Sequence, residues 1–173
     1  MRILAPLAAI ALCLLAAAPA PDPAEGSCGR PGGVEIRANI VGLKDRAGRL
    51  KLELYPATEA DFLKDDRDLI RAGRPFKRIW APMPASGPVN LCIQAPHAGR
   101  WAVLFTHDRD GKNKFNFWQD GAGFVSAQRM GRTRPKVTQA AIDVPASGAN
   151  ITIRVQYLRG VGGFAPLPSR PQR

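Results

Sequence analysis

Val34-Glu35-Ile36-Arg37-Ala38-Asn39-Ile40 and then Leu50-Lys51-Leu52-Glu53-Leu54-Tyr55 place an apolar side chain at every second position. Successive side chains of a strand point to opposite faces, so this two-residue period is that of half-buried β-strands. The link from Gly42 to Gly48 carries turn chemistry at Asp45 and Gly48, and the pair of runs predicts a β-hairpin. Downstream, Arg100-Trp101-Ala102-Val103-Leu104-Phe105-Thr106 is apolar almost throughout, as expected of a central strand covered on both faces. Further strands are predicted over 76–80, ended by Pro82 and Pro84, and over 88–94, 138–144 and 151–157. Residues 56–75 read as either a short helix or a long ordered loop, because Phe62, Leu63, Leu69 and Ile70 share one helical face only loosely. A polar, glycine-bearing loop runs from His107 to about Gly123. Without βαβ alternation or an internal repeat, the pattern predicts an all-β fold: an antiparallel β-sandwich of about seven strands.

The chain of 173 residues suits one domain. Its 17 glycines and 16 prolines favour short strands and turns over long helices. Arg2, the apolar run Ile3 to Ala18 and the small residues and prolines after it have the order of a secretory signal peptide. The run is shorter than the roughly 20 apolar residues a spanning helix needs. Prolines after Ala18 and Ala20 obstruct a peptidase there, whereas Ala24 and Gly26 set small residues before Ser27. Glu25-Gly26-Ser27-Cys28 lacks the aliphatic residue of a lipobox. The organisation predicted is a signal peptide and lead-in over 1–26, one sandwich domain over 27–159 and a flexible basic tail over 160–173. The protein is expected in the periplasm or secreted, with no transmembrane span after processing.

Cleavage removes Cys13 and leaves Cys28 and Cys92. Two cysteines in an oxidising compartment predict one disulfide, with two buried free thiols as the alternative. Removing residues 1–26 takes one of 25 basic and two of 14 acidic residues, so the formal charge rises from +11 to +12. Such a domain is attracted to anionic envelope lipids and polymers; nucleic acid is not an expected partner.

The densest polar cluster is His107-Asp108-Arg109-Asp110-Gly111-Lys112-Asn113-Lys114-Phe115-Asn116. Asp108, Asp110 and Asn116 could offer hard oxygen ligands to calcium, with Gly111 at the sharp bend. Lys112 and Lys114 oppose a cation there, and the competing reading is a structural loop whose carboxylates accept backbone N–H bonds. No other cofactor is implied. His97 and His107 are the only histidines, and no serine or cysteine nucleophile is marked by a motif, so the chain is not read as an enzyme. Trp80, Trp101 and Trp118 could line a sugar platform; Trp101 reads as core, and for Trp118 packing beneath its loop is the simpler reading. Arg129, Arg132, Arg134 and Lys136 form a basic run, either a solvated face or a patch for phosphate-bearing polymers.

The stretch Gly99 to Gly111 followed by Gly123-Phe124-Val125-Ser126 resembles the hallmark of the bacterial family called domain of unknown function 2141. Members read roughly G-x-Y-A-V-x-x-[FY]-H-D-E-N-G-N-G-K-[LM]-D and then G-[FY]-G-F-S-N, and the likeness covers about residues 34–157. His107, Asp108, Gly111, Lys114, Gly123, Phe124 and Ser126 match. Trp101 stands for Tyr, Asp110 and Lys112 for Asn, Asn113 for Gly and Asn116 for Asp. The resemblance implies a transthyretin-like or immunoglobulin-like sandwich exported to the envelope, without an established activity. Three functions follow as expectations. The first is a non-enzymatic module binding an anionic surface, a glycan or a protein; the second is a calcium module using the His107–Asn116 loop, with hydrolytic chemistry conceivable; the third is a structural domain of an envelope assembly.

Overall fold

In the computed structural model residues 28–29 and 33–168 are described; the signal peptide, its cleavage point and the last five residues lie outside the described residues. The elements are β1 (Val34–Val41), β2 (Arg49–Pro56), α1 (Asp66–Arg71), β3 (Lys77–Pro82), β4 (Val89–Ala95), β5 (Gly99–Asp108), β6 (Gly121–Phe124), α2 (Val137–Ala140), β7 (Ala141–Val144), β8 (Ala149–Leu158) and β9 (Phe164–Pro166). The fold is almost entirely β and mostly antiparallel. One continuous sheet runs β3-β2-β5-β6-β8-β1-β4, with β7 also paired to β5 and β9 to β8. Its outer strands β3 and β4 approach each other, so the sheet curls nearly into a barrel. The facing layers expected from the alternating pattern are thus two walls of one curled sheet.

Alternation in β1 and β2 sends Ile36, Ala38, Ile40, Leu50, Leu52 and Leu54 inward, where they meet Val103 and Phe105 of β5 and Ile153 and Val155 of β8. Fully burying each large apolar side chain of this kind is worth about 1.5–3 kcal/mol. A second apolar layer covers the outside of β2, β5 and β6. There Tyr55, Leu104 and Phe124 lie under Phe62, Leu69, Met130 and Phe164. β5 is therefore buried on both faces from Trp101 to Asp108, as its apolar run predicts.

Pairing departs from the predicted hairpin. β1 and β2 both exist, but β1 pairs with β4 and, in parallel, with β8, whereas β2 pairs with β3 and β5. The 42–48 link crosses the barrel end instead of folding back. Gly48 permits the crossing: it has φ +70°, and a Cβ there would lie 2.1 Å from the Asp108 carbonyl oxygen. Parallel pairing, disfavoured from the sequence, is confined to β1 with β8.

Other differences are local. The predicted strand 138–144 divides into α2 and β7, and the open reading of 56–75 contains α1, whose N-terminus Asp65 caps by accepting from the Arg67 N–H. β6 lies where the sequence predicts only loop. Its Gly121 and Gly123 leave no apolar period to read, because Tyr157, Val155 and Ile153 of β8 occupy the space their side chains would need. The segment predicted as the tail opens with a 3-10 turn (Gly160–Gly162) and then β9, where buried Phe164 joins the outer layer. No helix among the described residues is long and apolar enough to cross a membrane.

Cys28 and Cys92 form the predicted disulfide, with Cα atoms 5.8 Å apart and a sequence separation of 64. Closing a loop of that length stabilises the fold by about 4 kcal/mol in the chain-entropy model. Urea unfolding with and without reductant should differ by that order, and a Cys28→Ser/Cys92→Ser double variant should lose its response to reductant.

Candidate functional site

Three groups of polar and aromatic side chains meet around the end of β5. His107 and Asp108, adjacent on an extended strand, point to opposite sides. His107 faces the barrel and is fully buried. Its Nε2 lies 2.8 Å from the Ala47 carbonyl oxygen, which can only accept, so Nε2 carries the proton. Its Nδ1 lies 2.7 Å from the Tyr157 hydroxyl, which in turn accepts from the Lys44 N–H at 3.0 Å. Tyr157 therefore donates to Nδ1. Burial holds His107 below its ordinary pKa and pushes the Tyr157 phenol up to about 12. Both ring nitrogens are engaged, and His107 serves as a neutral tie between β5, β8 and the 42–48 link. Next to it Arg109 pairs with Asp45 and holds that carboxyl below the usual carboxylate range.

The Asp108 side chain turns outward yet is buried. Its Oδ2 accepts from Arg49 Nε at 2.8 Å and from the Asn113 N–H at 3.2 Å. Beyond it the loop bends twice through left-handed backbone, at Gly111 and Asn113. Asp110 accepts from the Lys112 N–H at 3.1 Å and from Asn116 Nδ2 at 3.0 Å. Asp120 is buried and accepts from the Arg109 and Asn116 N–H groups, both at 2.8 Å. Carboxylate oxygens of Asp108, Asp110 and Asp120 all lie within 4.8 Å of one another. Asn116, predicted as a ligand, instead donates to Asp110, and its Oδ1 accepts from the Trp118 N–H at 3.1 Å. The third carboxylate, Asp120, lies outside the predicted ligand set; its sequence signal is an acid immediately before Gly121-x-Gly123-Phe124.

Phe124 packs in the outer layer against Phe62, with centroids 6.0 Å apart, and Ser126 Oγ accepts from the Gln128 N–H. Lys114 is exposed. Trp101 is core, as predicted, and Trp80 lies beneath the Arg49 guanidinium at 4.1 Å. Trp118 does not pack under its loop: it is 83% exposed. The loop makes its apolar contact through Phe115 instead, which meets Phe117 edge to face and Phe164 at a tilt.

Those three phenylalanines wall a cleft of about 920 Å³ over the outer face of β2, β5 and β6. Leu104, Ala122 and Phe124 make its floor. One rim is the segment Leu63–Asp66; the other is Met130–Pro135, held down by buried Gln156, which accepts from the Met130 N–H and donates to the Gln128 carbonyl. Lys51, Lys64, Arg78, Arg132 and Arg134 reach the cleft, against Glu53, Asp65 and Asp66. Arg78 already pairs with Glu53 and Asp66, whereas Lys64 and Arg132 make no ion pair among the described residues. Of the predicted basic run, Arg132 and Arg134 border the cleft, while Arg129 and Lys136 are exposed and do not line it.

A family profile described as an uncharacterized protein conserved in bacteria, domain of unknown function 2141, matches residues 38–153. No curated protein and no solved structure matches the chain.

The buried histidine makes a pH dependence with a definite sign. Its folded pKa is below the unfolded value of about 6.5, so the unfolded chain takes up a proton first. Stability is full above that value and is lost as pH falls from about 6.5 through the folded pKa. Between pH 7 and 5 the protein should lose stability in urea titrations, and His107→Gln, though less stable at pH 7, should be nearly flat over the same interval. Tyr157→Phe should cost about 1–3 kcal/mol by stranding Nδ1 and the Lys44 N–H.

Proposed function

The chain belongs to the bacterial family called domain of unknown function 2141, and we propose that it is an exported, non-enzymatic module that binds an anionic amphiphile in the cleft over β2, β5 and β6. The observation that carries this reading is the pairing of an apolar, phenylalanine-walled space with cations at its rim. Its volume is within the range of small-molecule sites, and Phe115, Phe117 and Phe164 offer contact surface without polar demand. Lys64 and Arg132 are positioned at the rim for an acidic group, and Arg134, which also donates to the Phe62 carbonyl, adds a third cation. A single-chain anionic lipid of the envelope combines those two features.

Non-enzymatic action is supported by His107, whose two nitrogens are both committed to internal hydrogen bonds. Export is supported by the order of residues 1–26 and by the Cys28–Cys92 bridge, which suits an oxidising compartment. The two walls of the curled sheet support a transthyretin-like or immunoglobulin-like sandwich as the fold of this exported domain.

Two measurements check it. Calorimetry should show saturable binding of lysophosphatidylglycerol, weakening as salt rises from about 0.05 M to 0.5 M. Arg132→Ala and Lys64→Ala should each weaken it about tenfold, the order of one charge-assisted contact. Phe117→Ala, at a side chain 63% exposed, should weaken it without lowering stability. Equal affinity for lysophosphatidylcholine rejects the anionic reading, and no binding of either lipid rejects the cleft. Separately, N-terminal sequencing of the protein from the envelope fraction should begin at Ser27; an intact Met1 there defeats the processing scheme.

A further inference from the structure

The loop between β5 and β6 holds a buried charge that the protein itself only half satisfies. Asp108 is 2% exposed. Arg49 and the Asn113 N–H both bond its Oδ2. Its Oδ1 is shielded from solvent and has no donor, and among the described residues it is the only buried side-chain nitrogen or oxygen in that condition. Buried polar atoms are almost always paired, and an unmade bond to a charged group is the costliest kind.

The carboxylates of Asp110 and Asp120 lie close to that of Asp108, one oxygen from each of the three within 4.8 Å of the others. Calcium binds oxygens at about 2.3–2.6 Å, so opposed ligands of one ion stand about 5 Å apart. Anions this close repel unless positive charge sits between them. The nearby cations are directed elsewhere: Arg49 to Oδ2 of Asp108, Arg109 to Asp45, and Lys112 only loosely to Asp110 at 3.8 Å with its own side chain 74% exposed.

We infer that Asp108 Oδ1, Asp110 and Asp120 form a site for one calcium ion at the base of the loop that carries Phe115, Phe117 and Trp118. Water and backbone carbonyls complete a coordination shell that calcium tolerates being irregular, whereas magnesium requires a near-ideal octahedron. The set is all oxygen, which disfavours zinc. Asn113 and Asp120 hydrogen bonds shape the loop before any ion arrives, and the Lys112 ammonium competes for Asp110, so affinity belongs to the weak range of extracellular modules, about 10⁻⁴–10⁻³ M. The site does not rest on the cleft reading, although its loop forms one cleft wall.

Calorimetry and thermal unfolding of chelator-treated protein with calcium chloride test the site without any lipid. One saturable event per chain in that range is expected, with an unfolding temperature that rises with calcium. Asp110→Asn should weaken binding at least tenfold while the calcium-free protein unfolds no earlier. Lys112→Gln should tighten it several-fold, a gain that a purely structural loop does not produce. Asp110→Asn binding as tightly as the parent overturns the ligand assignment. Absence of both heat and thermal shift up to about 10 mM calcium, in parent and Lys112→Gln alike, overturns the site. Either failure leaves the lipid measurement unaffected.

Discussion

Strand β5 has almost no solvent face. From Trp101 to Asp108 each residue is buried, the odd positions in the barrel and the even ones under the outer layer. A strand with two apolar faces stays in water only if both are covered, so the rest of the chain is arranged around it. β2, β6 and β7 satisfy its hydrogen-bonding edges. The inward face is closed by β1, β4 and β8, and the outward face by α1, the Met130–Val137 segment and β9. The recruitment of residues beyond Gly160 follows from the second requirement, since without Phe164 the outer layer is open over Phe115.

Where β5 leaves the barrel the same alternation separates two polar residues that are neighbours in sequence. His107 continues the inward row and finds Tyr157 and the Ala47 carbonyl; Asp108 continues the outward row and finds Arg49. A histidine beside an aspartate suggests acid–base chemistry on paper. In the fold the two face opposite layers, and the histidine is consumed in holding the 42–48 link across the barrel end. Gly121 and Gly123 belong to this arrangement too, because the rings and branched side chains of β8 need the volume that any larger residue of β6 would take.

The loop from Arg109 to Asp120 faces two ways. Its carboxylates turn toward its own backbone, so that Asp120 gathers the N–H groups of Arg109 and Asn116. Its phenylalanines turn toward β9 and form part of the cleft wall.

The sequence alone determined the strand positions of β1, β2, β4, β5 and β8, the double burial of β5, the disulfide partners and the family resemblance. Each of these is written in local period, in cysteine number or in a contiguous motif. Tertiary structure alone decided which strands pair, because Val34–Ile40 and Leu50–Tyr55 have the same two-residue period whether they form a hairpin or stand on different neighbours. It also decided β6, whose glycines carry no period, and Asp120, whose part in the acidic cluster depends on a loop closing over eleven residues from Arg109. The cleft was illegible for the same reason: Lys64, Leu104, Phe117, Arg132 and Phe164 are scattered along the chain, and only the outward face of a curled sheet brings them to one place.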